Sequence, residues 1–474
     1  MRRTKIVATL GPATDDQELI EALIREGVDV FRLNYSHGTA ESKEALIAKV
    51  RRASENVGRE VGILQDLGGP KIRTGDIHGG GRLSLEKGQA WRLVREPGDL
   101  SPGILTSTLP ELVEALRPGE PVLLADGRLE LQVESKGEDG AHLRVVRGGE
   151  LSGRAGINLP RTLLPVSSLT DKDRSDLVHG VRHGVDMTGL SFVRHPNDMI
   201  STRDLAADRK ADIFLIAKIE KPEAVTNLEA ILETADGVMV ARGDLGVEMP
   251  AEDVPLLQKQ IIRAANERRI PVITATQMLE SMIHSPVATR AEASDVANAI
   301  FDGTDAVMLS GETAIGEYPL ETVRTMVRIA EKADVPLQQE AHRRRSGSPE
   351  LQPPEAVSRA ASRAAADVNA RAIVVYTESG ATARLLASQR PGVPILALSP
   401  HLTTLRRLRL SWGVYPRRMP KVRRLAEMLE LGERILIEAG QVKPGDRVVV
   451  VSGTRAANRG GTNMLKILTV GEAE

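Results

Sequence analysis

DIFLIAKIEKPEAVTNLEAILETADGVMVARGDLGVE, residues 212–248, decides the fold. Two short apolar runs, each ending in charged residues, flank a stretch patterned as helix. The same alternation continues on both sides of it. TKIVATLG (4–11), VDVFRLNY (28–35), VGILQDLG (61–68) and VDMTGLSFV (185–193) come before, and PVITATQ (271–277) and DAVMLSGE (305–312) after. DQELIEALIREG (16–27) is an amphipathic helix stopped by Gly27. Strand–helix alternation implies parallel strands with right-handed crossovers. The runs number eight, which closes a barrel. An open doubly wound sheet is the alternative. Polar residues at the C-terminal ends of most runs favour a barrel with a working mouth.

Between the third and fourth runs, residues 72–163 break the pattern. AWRLVRE (90–96), VLLADGRLELQVES (122–135) and AHLRVVRG (141–148) alternate among turns, predicting a small inserted β-barrel able to act as a lid. The barrel then occupies 1–71 and 164–337. A polar linker, 338–354, precedes a C-terminal α/β domain at 355–474, whose strands are read in RAIVVYTES (371–379), PILALSP (394–400) and DRVVVVSGT (446–454).

Composition narrows the function. A net charge of −1 leaves no basic excess for a nucleic-acid backbone. With no cysteine, a zinc–thiolate site, a disulfide frame and a thiol nucleophile are excluded. The apolar run after the basic N-terminus stops at Leu10, too short for a secretion signal. No run is long enough to cross a membrane, so a cytoplasmic enzyme is expected.

Lys218 and Glu220 lie two apart at a strand end and share a face. Asp244 ends the next run. Two carboxylates beside a lysine suit Mg2+, whose remaining ligands would be substrate oxygens and water. Lys218 adds charge where a phosphoryl group or enolate would sit. Gly243 and Gly246 allow close backbone approach, and a helix starting there would offer amides to a carboxylate. Arg32, on a strand with Asn34 and Ser36, needs an anion, either an aspartate or a phosphate. Lys71 and Arg73 follow a Gly-Gly-Pro turn and add positive charge. Thr276 ends a strand with a hydroxyl available for proton handling. Met278 and Met282 read as helix packing. His179 and His183 read as a solvated helix face, because no third ligand is visible for a metal. No Walker or Rossmann glycine motif occurs.

TKIVATLGPAT (4–14), FRLNYSHG (31–38), GPKIRTG (69–75), LSFVR (190–194), the two strand ends quoted first, ATQMLESMI (275–283), TRAEASDVANAIFDGTDAVMLSGETA (289–314) and GTN (461–463) together resemble the pyruvate kinase family, in order and along the whole chain. The resemblance implies phosphoryl transfer from phosphoenolpyruvate to ADP, giving pyruvate and ATP, usually in a homotetramer. It implies Mg2+ (or Mn2+) on Glu220 and Asp244, and Lys218 against the phosphoryl group and enolate. Arg32 and Arg73 would contact phosphoryl and nucleotide, with Pro12 and His37 in the nucleotide pocket. Gly243 and Asp244 would bind the substrate carboxylate. Thr276 would stand near the face where the enolate is protonated, either as donor or beside a water chain.

Two departures from the family pattern stand out. Many members have Glu at the position of Lys71 and Thr at that of Leu67. They need K+, held near the residues matching Asn34, Ser36 and Asp66. Here the Lys71 ammonium supplies that charge, so K+ is expected to be dispensable. Members activated by fructose bisphosphate carry a Thr/Ser-rich effector loop with Lys and Arg. This chain has TESGATAR (377–384). Thr377, Ser379, Gly380, Thr382 and Arg384 are expected to take a phosphorylated effector. Glu378 points to a monophosphate, such as AMP or a sugar monophosphate. A lyase or mutase on the same barrel, or a catalytically dead binding protein, are the rival readings. The first would not need the insert, and the intact Lys218, Glu220, Asp244, Arg32 and Thr276 argue against the second.

Overall fold

A computed structural model describes residues 2–78, 80–96, 98–162, 166–340, 351–422, 424–453 and 461–472. The eight runs form β1 (Lys5–Leu10), β2 (Val30–Asn34), β3 (Gly62–Asp66), β4 (Met187–Leu190), β5 (Leu215–Ile219), β6 (Gly237–Ala241), β7 (Val272–Ala275) and β8 (Ala306–Leu309). Every neighbouring pair is parallel, and β1 bonds both β2 and β8, closing the barrel. The strands are buried on both faces. Val7, Val30, Leu64, Met187, Ile216, Met239, Ile273 and Met308 fill the interior. The residues between them pack outward against the helices. The helix Gln17–Glu26 begins where Asp16 accepts from the Leu19 amide and ends at Gly27, whose φ of +123° suits glycine.

The bottom of the barrel carries a fourfold repeat. Asp29, Asp186, Asp236 and Asp305 each immediately precede an even-numbered strand. Each carboxylate accepts the amide of a residue on the preceding odd strand: Ile6 at 3.1 Å, Ile63 at 2.8 Å, Leu215 at 2.9 Å and Val272 at 3.0 Å. Each also meets an arginine: Arg2 and Arg59, Arg51, Arg203 and Arg390 respectively. The strand ends that a barrel leaves unpaired are thereby satisfied.

The segment between β3 and β4 folds as a six-stranded sheet and a two-stranded ribbon, Arg82–Leu85 with Gly149–Ser152. Both close on one apolar core containing Trp91, Leu93, Leu131, Leu143, Leu85 and Leu151. Residues 163–165, where the insert was read to end, lie outside the described residues. Of the linker read at 338–354, residues 338–340 finish the helix Pro319–Glu340 and Pro353 opens the next. Residues 341–350 lie outside the described residues.

The C-terminal sheet has five strands in the order 414–418, 395–399, 372–376, 447–452, 464–469, the last antiparallel. The two strands that sequence reasoning missed are both edges. One, VYPRR, carries a proline and two arginines, which is tolerated at an edge but does not read as a strand. Leu410 of this domain is fully buried among the barrel's interior residues Val30 and Leu64, plugging the end opposite the mouth.

Candidate active site

The C-terminal strand ends bring the charged residues together. Lys218, at the end of β5, is buried, and its Nζ lies 2.7 Å from Glu220 Oε1 and 3.1 Å from Asp66 Oδ1. Its directed hydrogen bond goes to Ser191 Oγ at 2.6 Å, and Ser191 in turn donates to the Leu67 carbonyl. Burial opposes the charge on Lys218. Asp66, Glu220 and Asp244 outweigh it and hold the ammonium above the ordinary lysine value. Burial likewise opposes the Asp66 charge, but Lys218 and Arg32 keep its pKa below the usual carboxylate value. Glu220 goes the other way. Burial, reinforced by Asp244, raises it despite Lys218.

Arg32 finds its anion inside the protein. Its guanidinium grips Asp66 Oδ2 at 2.6 Å and donates to Thr9 Oγ1 at 3.1 Å. Of the two partners open to it from sequence, the structure shows the aspartate. Asp66 thus joins Arg32 and Lys218, a hub that sequence reasoning named only for a monovalent ion. An arginine opposite a strand-end aspartate was the signal available.

Two carboxylate oxygens in this cluster lack a hydrogen bond: Glu220 Oε1 and Asp66 Oδ1. The Lys218 ammonium pairs with both, at 2.7 and 3.1 Å. The other Glu220 oxygen accepts from the Phe192 amide at 2.9 Å. Unfilled acceptor capacity on a buried carboxylate, beside the half-buried Asp244, fits a divalent ion.

A helix does begin after β6, Arg242–Glu248, as the glycines suggested. The Gly243 amide, however, is not open to a ligand, since it donates to Thr276 Oγ1 at 2.7 Å. Thr276 holds φ +70°, a costly conformation for a β-branched residue. Arg242, missed as a functional residue, supports it. Its guanidinium forks onto Asp295 at 2.7 and 2.8 Å, and donates to the Thr276 carbonyl and to Met278 Sδ, each at 2.7 Å. Met278 and Met282 are fully buried, but on a turn and a 3-10 helix, Glu280–Ile283, instead of one α-helix.

Above the mouth, a cleft of about 450 Å³ separates insert from barrel, lined by Lys71, Arg73, Asp126, Asn158, Lys221 and Asp244 among others. Arg73 belongs to the insert side, donating to the Arg154 carbonyl and bridging to Gly156. Insert and barrel meet at Glu248, which accepts from Asn158 Nδ2 at 2.9 Å and pairs with Lys221 at 2.6 Å. Pro12 opens an exposed turn after β1. His37 is exposed, and partial burial together with Lys71, Arg73, Lys43 and Arg32 keeps its pKa below the ordinary histidine value.

Asn34 Oδ1 accepts from the Ser36 amide. Ser36 Oγ would lie 3.1 Å from a Cβ placed on Gly68, so the hydroxyl faces the turn after β3. The Leu67 side chain points elsewhere, buried in the apolar layer with Leu169 and Leu177. Lys71 is exposed, and among the described residues no carboxylate pairs with it.

In the C-terminal loop, Thr377 Oγ1 accepts from the Gly380 amide, Ser379 Oγ from that of Ala381, and Gly380 holds φ +82°. Thr382 meets Thr462 hydroxyl to hydroxyl at 2.5 Å. Arg384 donates to the Ser379 carbonyl and lies over Phe214 of the barrel, so its charge sits at the domain boundary. Glu378 pairs with Lys421 and His401.

Comparison with known proteins follows the same division. The family model "Pyruvate kinase, barrel domain" matches residues 1–323, and "Pyruvate kinase, alpha/beta domain" matches 355–468. Pyruvate kinase 2 of Synechocystis sp. is 44% identical over 473 residues, covering 99% of this chain and 79% of that protein. Pyruvate kinase of Agrobacterium vitis is 44% identical over 478 residues, covering 99% of both. That of Geobacillus stearothermophilus is 42% identical over 480 residues, covering 99% and 81%. With barrel, insert, C-terminal sheet and charged mouth all in place, the chain belongs to the pyruvate kinase family.

Proposed function

We propose that this chain transfers the phosphoryl group of phosphoenolpyruvate to ADP with Mg2+ on Glu220 and Asp244, and that it does so without K+. The observation that carries the metal assignment is Glu220 Oε1, a buried carboxylate oxygen with no directed hydrogen bond, 2.7 Å from the Lys218 ammonium. When bound, Mg2+ supplies charge neutralisation for the phosphoryl and enolate oxygens. The residues do the rest. Lys218 holds its ammonium where negative charge passes from phosphoryl group to enolate. Arg32, held on Asp66 at the mouth, and Arg73, on the insert side, orient phosphoryl and nucleotide oxygens, with Pro12 and His37 beside the nucleotide. A terminal ADP oxygen bonds to phosphorus as the bond to the enolate oxygen breaks. The enolate carbon then takes a proton on the side of Thr276, from its hydroxyl or a water chain. The Asp244 amide at the start of its helix receives the substrate carboxylate, and the Gly243 amide can join it only by leaving Thr276 Oγ1.

Substituting Glu220→Gln or Asp244→Asn is the test. Turnover with Mg2+ as the only divalent ion should fall roughly 100-fold or more while the fold stays intact. Near-normal turnover in either variant would overturn the assignment.

Independence of K+ rests on Lys71. It is exposed and unpaired among the described residues, and close enough to help depress His37, the neighbour of Ser36. A covalently attached ammonium needs no ion-binding equilibrium. A salt bridge at the hinge into the insert is the alternative role for Lys71, and among the described residues no carboxylate pairs with it.

For regulation, the loop at 377–384 offers a glycine nest, the Thr377, Ser379 and Thr382 hydroxyls, and Arg384 at its edge. Glu378 already places a carboxylate there and opposes a second phosphate, which favours AMP or a sugar monophosphate. Activation by fructose 1,6-bisphosphate alone would contradict this. A homotetramer and a cytoplasmic location follow from family analogy. No helix among the described residues is long and apolar enough to cross a membrane.

A further inference from the structure

We propose that Glu44, His179 and His183 form a binding site for a borderline transition ion of Zn2+ chemistry on the outer wall of the barrel. The three side chains each bring one ligand atom within 4.8 Å of the others. His179 and His183 are one helical turn apart, at the end of the helix Asp171–Arg182. Their rings are stacked, with centroids 4.4 Å apart and planes at 26°. His183 Nδ1 stands 3.7 Å from Glu44 Oε1, which comes from the helix Ala40–Val57. Glu44 is the third ligand that the chain order hid. It lies 135 positions before His179 and reaches it only because the two helices flank each other on the barrel.

Two further features favour a metal over a solvated face. The Tyr35 hydroxyl lies 3.2 Å from His179 Nδ1. With Nδ1–H donating to the phenol oxygen, Nε2 carries the free lone pair, the arrangement in which an outer hydrogen bond fixes a ligating imidazole. The cluster also sits at a helix C-terminus, where the backbone carbonyls favour a cation.

Two imidazoles and a carboxylate with an open fourth position suit Zn2+, whereas the oxygen-only pair at the mouth suits Mg2+. Zn–N bonds of about 2.0 Å in a tetrahedron put donors roughly 3.3 Å apart. The ligand atoms lie within 4.8 Å of one another, with Glu44 exposed and both rings half-buried, so binding draws these side chains closer together. An ion there ties together two helices that sequence separates. It braces Tyr35, the residue between Asn34 and Ser36, from outside the barrel. The expected consequence is stability, with the chemistry at the mouth untouched.

The experiment uses the full chain, free of any histidine tag, in chelator-treated buffer with saturating Mg2+. Zn2+ is titrated against a competing chromophoric chelator, and unfolding midpoints are recorded with and without it. One equivalent should bind per chain, and Zn2+ should raise the midpoint. His183→Ala should weaken binding at least about tenfold and abolish the rise in midpoint, with Mg2+-supported turnover unchanged. Glu44→Gln, an exposed change that leaves the helix intact, should weaken binding in the same direction. Absence of binding at about 100 µM free Zn2+ would overturn the proposal. Binding unchanged in both variants would also overturn it, by placing the ion elsewhere.

Discussion

Lys218 is the residue on which the proposed site turns, and its place on one face with Glu220 was legible from spacing alone. Two positions separate it from Glu220, and alternation on a strand puts both on one face. Spacing could not show that Asp66, on β3, binds Lys218 and Arg32 at once, because that contact depends on barrel closure. Nor could it show that Leu67 turns its side chain away from the mouth into the apolar layer, although its neighbour Asp66 faces inward. Lys218→Met should remove phosphoryl transfer while leaving metal and Thr276 in place. In deuterated water it should still exchange the methyl protons of pyruvate at a measurable rate. Loss of exchange together with transfer would mean that Lys218 also serves the proton step. Arg242→Lys removes the fork that holds the Thr276 carbonyl and Asp295. A fall in turnover of roughly tenfold is expected, with the KM for phosphoenolpyruvate less affected. Unchanged turnover would show that the unusual backbone of Thr276 does not depend on it.

At the scale of elements, the eight strands were readable because each is a short apolar run ending in polar residues. The edges of the C-terminal sheet were not, since an edge strand buries one side less and carries charge. The aspartate before each even strand also escaped notice. VDVF, VDMT, ADGV and TDAV look like ordinary helix-to-strand turns until the amides they accept are seen to lie on the preceding strand. Asp186→Ala tests that repeat. It leaves the Ile63 amide and the Arg51 guanidinium without their buried partner. Thermal or denaturant unfolding should show a loss of about 3 kcal/mol, with turnover per folded molecule unchanged. A loss below about 0.5 kcal/mol would mean that water satisfies both groups.

At the scale of the whole molecule, insert and C-terminal domain attach to opposite ends of the barrel. The insert meets the mouth through Glu248, and the C-terminal domain meets the base through Leu410 and Lys5. Lys5 is fully buried there, donating to the Val414 carbonyl at 2.6 Å. Burial pulls its pKa down to about 7, with Asp29 opposing and Arg409, Arg2 and Arg59 assisting. In the unfolded chain it titrates near 10.4. Between those values the unfolded state holds a proton that the folded state has released, so stability rises with pH across that window and is flat on either side. Replacing Lys5 by Met removes this contribution. The stability difference between variant and parent should therefore narrow from pH 7 to pH 10, and parallel profiles would contradict the assignment. The proposed K+ independence puts a fixed positive charge, that of Lys71, at the mouth in place of a recruited ion. The most direct measurement is pyruvate formation from phosphoenolpyruvate and ADP in tetramethylammonium buffer with saturating Mg2+, before and after adding K+, for the parent chain and Lys71→Glu. Full parental turnover without K+, with the variant inactive until K+ restores part of its rate, is the expected result; a many-fold rise in parental turnover on adding K+ would contradict it.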